Sequence, residues 1–368
     1  MEQGGVERGV VEMNRVFVAA GWQNVVVSVG GRLADDVVAA GGRHVRLDVK
    51  SKNPLTYFIR AARLRRLLEK ERPDVVCAHS RVPAWLFLWA NRRLHLPWIS
   101  FAHGANSISR YSRVMACGDL VVTPSRYIAD YLKSAYGLEE AKIRVIPRAI
   151  DRDKFDPAQL DSAFVAEKKS EWGVDGRYVV MGLGRITQLK GYDTLIRATA
   201  LAAKDIHNIR TVIVGEAEAL RKDVERDLHA LVAELKLEDR VVFAGNQSKV
   251  AECLSLANVV VSANTRKPEA FGRSMAEALA MDRPVVAAAF GGALDIVEDG
   301  VNGALVDPSG GAEGFATALV RTARMSFGDL RTPALEKFSF EKMAAASLAV
   351  YRELAPENVS TTDRGATA

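Results

Sequence analysis

Three cysteines in 368 residues, Cys77, Cys117 and Cys253, are too few and too far apart for a disulfide framework or a zinc site. A reducing, cytoplasmic setting is the expectation that follows. No apolar run reaches the roughly 18–20 residues of a membrane span. The start, Met1-Glu2-Gln3-Gly4-Gly5, has no basic segment ahead of an apolar one, so no secretory leader is expected. Metal-ligand spacings of His and Glu are missing. The single D-x-D, Asp151-Arg152-Asp153, lies in a Pro-bounded loop with no hydrophobic strand leading into it, and no metal is expected there. Helix-turn-helix, zinc-finger and aromatic-basic RNA signatures are absent, which argues against nucleic acid as a partner.

What is present is length, uneven charge and an αβ rhythm. A chain of this size predicts two domains or one very large one. Residues 1–150 hold 23 Lys+Arg against 13 Asp+Glu, a net of +10, and residues 151–368 hold 27 against 32, a net of −5. A basic half beside an acidic half suggests that one domain meets an anionic partner, and an anionic membrane surface suits it. In the first half, residues 25–29 read as a buried parallel strand, 45–49 and 75–78 as shorter ones, and 57–71 as a helix. That helix interleaves Arg60, Arg63, Arg65 and Arg66 with apolar residues. It is either a surface helix with a solvated basic face or an interfacial helix on anionic lipid. Trp85, Phe87, Trp89 and Trp98 are expected in a core. His103-Gly104 follows a strand end, where open α/β sheets bind ligands, and His79, after another strand, is its rival.

In the second half, strands are expected at 178–183, 211–214, 241–244, 259–262, 284–289 and 304–306. Helices are expected at 275–281 and 315–325, with a last one from 339 or 341 to 354. Arg185 and Lys190 lie five residues apart in the turn after the first of these strands, where two cations can grip a diphosphate. Surface charge is the plainer reading. Gly215 ends the next strand, and Gly245-Asn246 the one after. The stretch Lys267-Pro-Glu-Ala-Phe-Gly-Arg-Ser-Met-Ala-Glu277 carries Glu269 and Glu277 around the turn Phe271-Gly272-Arg273. On one helix, carboxylates eight residues apart share a face. If Glu269 lies instead in the loop before the helix, it projects over a helix N-terminus whose amides bind anions.

This stretch resembles the E-x7-E motif of retaining glycosyltransferases with the GT-B fold, in particular family 4 (glycosyl transferases group 1). The run from Arg283 through Gly303, with Gly291-Gly292, resembles the rest of that family's donor domain. The stretch Tyr111–Ser125, with Gly118-Asp119, and the loop holding Arg185 and Lys190 occur in the family's order. The resemblance implies two Rossmann-like αβα domains facing a central cleft, and a C-terminal helix crossing back to the first domain. The divisions expected are an acceptor-side domain over 1–149, a donor domain over 150–336, the crossover helix over 337–354 and a disordered tail over 355–368. In the family a buried strand precedes the glycine turn corresponding to Gly4-Gly5, whose amides face the donor phosphate. That strand is missing here, which would expose its neighbours' edges.

The implied activity is transfer of a hexose from a nucleotide-diphosphate sugar, with retention and without metal or other cofactor, to a glycan or lipid-linked acceptor. Synthesis of lipopolysaccharide core or another cell-surface glycan is the implied setting. By resemblance, Glu269 and His103 hold the donor sugar, Glu277 the ribose, and Arg185, Lys190 and the amides at Gly272-Arg273 the diphosphate. Gly215, Asn246 and Phe271 complete the donor site. An anionic membrane surface met through 57–71 is a further expected partner, giving a peripheral place on the inner face of the cytoplasmic membrane. A sugar-nucleotide epimerase of the same fold, or a sugar-nucleotide-binding protein without transfer activity, remain the alternatives.

Overall fold

A computed structural model describes residues 5–218 and 221–355. They divide into two compact units. One runs to Ile146 and resumes at Glu341, and the other is Pro147–Phe340. The first unit runs α1 (Gly5–Ala19), β1 (Val25–Ser28), α2 (Arg32–Ala39), β2 (Arg43–Arg46), α3 (Tyr57–Glu71), β3 (Val76–Ala78), α4 (Arg81–Ala90), β4 (Trp98–Phe101), β5 (Leu120–Thr123), α5 (Arg126–Tyr136) and β6 (Ile143–Val145). All pairings are parallel, in two separate sheets, β1-β2 and β3-β4-β5-β6.

β4 and β5 have a strand on each side and are buried throughout. Among the described residues β1 pairs only with β2, and all four of its residues are half-buried, so the valine run is not the fully buried strand its composition suggests. β2 also lies earlier than 45–49. The Asp48 carboxylate accepts the amides of Lys50 and Ser51 at 3.1 and 2.9 Å and turns the chain away. Phe87 and Trp98 pack in the core with centroids 5.3 Å apart, whereas Trp85 and Trp89 are only half-buried.

Helix α3 spans the expected residues, but its arginines are not one solvated face. Arg60 is buried. Its guanidinium donates to the carbonyls of Ser51 (2.8 Å) and Asn53 (3.0 Å) and to Thr56 Oγ1 (3.0 Å), clamping the loop before the helix. Arg65 lies over the Trp89 ring at 5.8 Å and beside Glu69. Arg63 and Arg66 are exposed. Helical periodicity registers that a residue is charged but not that main-chain carbonyls nearby can satisfy it.

The second unit continues α6 (Ser162–Glu171), β7 (Tyr178–Leu183), α7 (Tyr192–Ala202), β8 (Ile209–Val214), α8 (Lys222–Glu234), β9 (Val241–Gly245), α9 (Val250–Ser255), β10 (Val259–Ser262), α10 (Arg273–Ala280), β11 (Val285–Ala288), β12 (Gly303–Val306), α11 (Gly311–Ala323) and α12 (Arg331–Lys337). α13 (Phe340–Leu354) follows. The sheet is parallel, in the order β12-β11-β10-β7-β8-β9. Its valine- and isoleucine-rich inner strands are largely buried because helices cover both faces, while the edge strand β9 is mostly half-buried. One face packs on Phe155, Trp172, Met275 and Leu279, the other on Leu195, Ile196, Leu228 and Phe315. In the first unit, α13 places Tyr351 edge-on to Phe17 of α1 at 4.8 Å.

Candidate active site

From β7 the chain winds outward through β8 and β9, then returns to β10, on the other side of β7, and winds outward through β11 and β12. Val261 pairs with Gly182 at this reversal. The loops after β7 and β10 therefore leave adjacent strands in opposite directions, which opens a crevice at the carboxyl edge of the sheet.

Lys190 comes from the first loop and Glu269 from the second. The Lys190 ammonium donates to Glu269 Oε1, and Asn264 Nδ2 donates to the same oxygen at 2.9 Å. The Lys190 and Glu269 side chains are 26% and 19% exposed, so the pair is sheltered but reachable. The Glu269 carbonyl accepts the Gly292 amide at 2.8 Å, which fixes its backbone as well. Arg266 ties the two loops together, bonding the Gln188 carbonyl at 2.8 Å and Asp193 at 2.5 Å. Beneath them the Tyr192 hydroxyl donates to the Gly184 carbonyl at 2.7 Å. Burial, and then the negative charge of Glu269, push this phenol above its usual range, so it stays a donor.

Glu269 lies in the loop ahead of α10, the second of the two placements the spacing allowed, and Glu277 lies on the helix, half-buried. Gly272 caps α10 at φ 102°, a left-handed conformation open to glycine, which sets Arg273 as the first helical residue. Phe271 immediately precedes this cap. Its ring is buried in the core, edge-on to Phe338 at 5.4 Å, because the turn at Gly272 directs it inward. Arg185 stands earlier in the same loop as Lys190, after β7. It is 74% exposed and paired with Glu218. Gly215 sits at the end of β8, where a β-carbon would come within 2.1 Å of the Gly184 carbonyl, so glycine is required for the loops to pack. Asn246 is exposed just beyond β9.

In the first unit, His79 and His103 are not rivals but neighbours, with His79 Nδ1 3.1 Å from His103 Nε2. Gly5 opens α1, and Gly4 lies outside the described residues, as does 356–368 of the expected tail. Asp151 accepts the Lys154 amide at 3.0 Å within a turn. No cluster of three His, Cys, Asp or Glu side chains suited to a metal occurs among the described residues, and none of their helices is long and apolar enough to cross a membrane.

Sequence reasoning missed Asn264, Tyr192, Glu218 and the histidine pair. Asn264 stands two residues past β10, so the rule that ligands gather at strand carboxyl ends would have reached it.

A family model for Glycosyltransferase Family 4 matches residues 3–154, and one for Glycosyl transferases group 1 matches residues 165–324. A D-inositol 3-phosphate glycosyltransferase from Xylanimonas cellulosilytica is 32% identical over 66% of this chain and 58% of its own length. One of the same name from Geodermatophilus obscurus is 30% identical over 79% of this chain and 69% of its own. The chain thus spans between about three fifths and two thirds of these relatives. A glycosyltransferase structure from Rickettsia africae superposes with a TM-score of 0.86 at 26% identity, covering 97% of this chain and 98% of that one. Anabaena HepE in complex with UDP and glucose superposes with a TM-score of 0.76 at 20% identity, covering 94% and 95%. With two parallel-sheet αβ units and these matches, the chain belongs to the group 1, family 4 glycosyltransferases and has their GT-B fold.

Proposed function

We propose that this protein transfers a hexose from a nucleoside-diphosphate sugar to a glycan or lipid-linked acceptor, with retention at the anomeric carbon and without a metal. The carrying observation is the Lys190–Glu269 pair, built from the two loops at the reversal of the donor-side sheet and set before the N-terminus of α10. Departure of a diphosphate needs positive charge, and Lys190, Arg185 and the amides at Gly272-Arg273 supply it. Glu269 accepts hydrogen bonds from sugar hydroxyls, and Glu277 from the ribose. His103 holds the sugar as well. By family resemblance, the leaving phosphate oxygen takes the acceptor's proton as the new bond forms on the same face.

HepE, the fold neighbour holding UDP and glucose, makes a uridine donor the first to test. In a thermal-shift screen of nucleotide sugars, the true donor at 100 times its Kd should stabilise the protein by about 2.7 kcal/mol. Transfer should then persist in EDTA. Binding without transfer to any acceptor would favour a sugar-nucleotide-binding protein, interconversion of the donor sugar an epimerase, and activity lost in EDTA and restored by Mg²⁺ a metal site.

The acceptor reading rests on the basic first unit. Leu55, in the turn just before α3, and Phe58 and Ile59, in its first turn, are 86%, 61% and 57% exposed. Ile59, Arg63 and Arg66 share one helical face. An apolar tip beside exposed arginines suits a cytoplasmic protein resting on an anionic membrane, where a lipid-linked precursor of lipopolysaccharide or another surface glycan would be met. Vesicles rich in anionic lipid should sediment the protein at low salt and release it at high salt. Arg63→Gln with Arg66→Gln, or Phe58→Ser, should weaken that binding and leave donor affinity unchanged. Arg60→Gln should instead cost about 2–3 kcal/mol of stability by breaking charge-assisted bonds to the clamped loop. If vesicles are ignored at low salt, a soluble phosphorylated acceptor is the better reading, in line with the inositol-phosphate name of the relatives and the +10 charge.

A further inference from the structure

We propose that His79 is a positioning residue for His103, fixing the orientation and tautomer of the His103 ring through an imidazole–imidazole hydrogen bond. The inference rests on the reading of His103 as a donor-sugar contact. In the parallel register of β3 and β4, Ala78 pairs with Ser100, so the residues after each strand leave the sheet side by side. The His79 ring stacks on Phe101 at 4.6 Å and lies 9° from parallel to His103 at 5.3 Å. His79 Nδ1 is 3.1 Å from His103 Nε2, and on its other side His79 Nε2 is 3.5 Å from Cys77 Sγ. The hydroxyl of Tyr351, from α13, hydrogen-bonds that sulfur. Both ring nitrogens of His79 are thus engaged by the fold.

A hydrogen bond between two imidazole nitrogens holds one proton, so one ring donates and the other accepts. The proposed direction starts at the far end, with the thiol as donor. Burial raises the Cys77 thiol above its ordinary value, so it keeps its proton at neutral pH. The Tyr351 hydroxyl donates to the sulfur, the thiol donates to His79 Nε2, and His79 Nδ1–H donates to His103 Nε2. Each of the three hydrogen bonds from Tyr351 to His103 then has one donor and one acceptor, and His103 carries its own proton on Nδ1. With Nε2 committed to His79, His103 presents one orientation and one tautomer to the sugar.

The test uses the full chain with ¹⁵N-labelled histidine. At neutral pH the wild type should show His103 as the Nδ1–H tautomer. His79→Phe keeps the ring on Phe101 but removes the donor, and His103 should become a tautomer mixture. Turnover should fall about ten- to a hundredfold, the scale on which loss of a partner that orients a working imidazole is felt, with donor KM within about twofold of wild type. His79→Asn, whose amide can take the place of Nδ1–H, should restore both the single tautomer and most of the turnover. If His79→Phe fails to fold, His79→Gln, which keeps a polar group toward Cys77 but none at the Nδ1 position, is read in the same way. An unchanged His103 tautomer in the variant that folds overturns the proposal. So does unchanged turnover there when His103→Ala is inactive. Wild-type turnover in His103→Ala instead overturns the sugar-contact reading, while the NMR result still decides whether His79 sets the tautomer.

Discussion

Glu269→Gln is expected to leave the fold intact and to lower transfer by about two to three powers of ten, the scale on which a preorganised electrostatic group is lost. The substitution nearly conserves shape, and an amide oxygen can still accept from Asn264 Nδ2 and from Lys190. The Glu269 main chain keeps its bond to the Gly292 amide in any case. What disappears is the negative charge. A neutral amide accepts a sugar hydroxyl more weakly than a carboxylate does, and it no longer balances the Lys190 ammonium. The effect should therefore fall on turnover, with affinity for the free nucleoside diphosphate equal to wild type or higher, since the Lys190 charge is less neutralised. Steady-state transfer and calorimetric titration of the diphosphate separate the two quantities. Near wild-type turnover with unchanged donor affinity removes Glu269 from the chemistry.

The sequence announced the donor-side sheet because a parallel sheet covered on both faces leaves continuous apolar runs. Val259–Ser262 and Tyr178–Leu183 lie where their composition places them. α12 (Arg331–Lys337) was not anticipated. It contributes one buried residue, Ala334, so it has almost no apolar period to read. The same asymmetry holds at the site. Glu269 and Lys190 stand in loops recognisable by their turn residues, but their meeting depends on β7 and β10 being adjacent, which is a property of strand order. The histidine pair likewise depends on the β3–β4 register, and from sequence alone His79 could only compete with His103. Arg60 reads as one of four similar arginines because its partners are carbonyls, which every residue carries.

Lys190→Ala and Arg185→Ala should each lower turnover by roughly two to three powers of ten, yet their costs to stability should differ. Arg185 makes an exposed ion pair with Glu218, of a kind worth at most about 1 kcal/mol, so Arg185→Ala should melt close to wild type. Lys190 is sheltered, and its removal leaves the Glu269 carboxylate short of a cation in a partly buried place. A loss of about 1–2 kcal/mol is expected, below the cost of breaking a fully buried pair. In turnover the double variant should fall short of the product of the single effects, because both cations act on one diphosphate. Lys190→Ala combined with Glu269→Gln should be less damaging to stability than the two changes taken separately, since each removes the other's unpaired charge. Thermal melts and single-turnover rates on these four variants and on Glu269→Gln give both results. Small, independent effects of Arg185→Ala and Lys190→Ala on turnover would make them surface charges. A Lys190–Glu269 cycle that closes to zero would mean that their contact in the donor-free protein contributes nothing to stability.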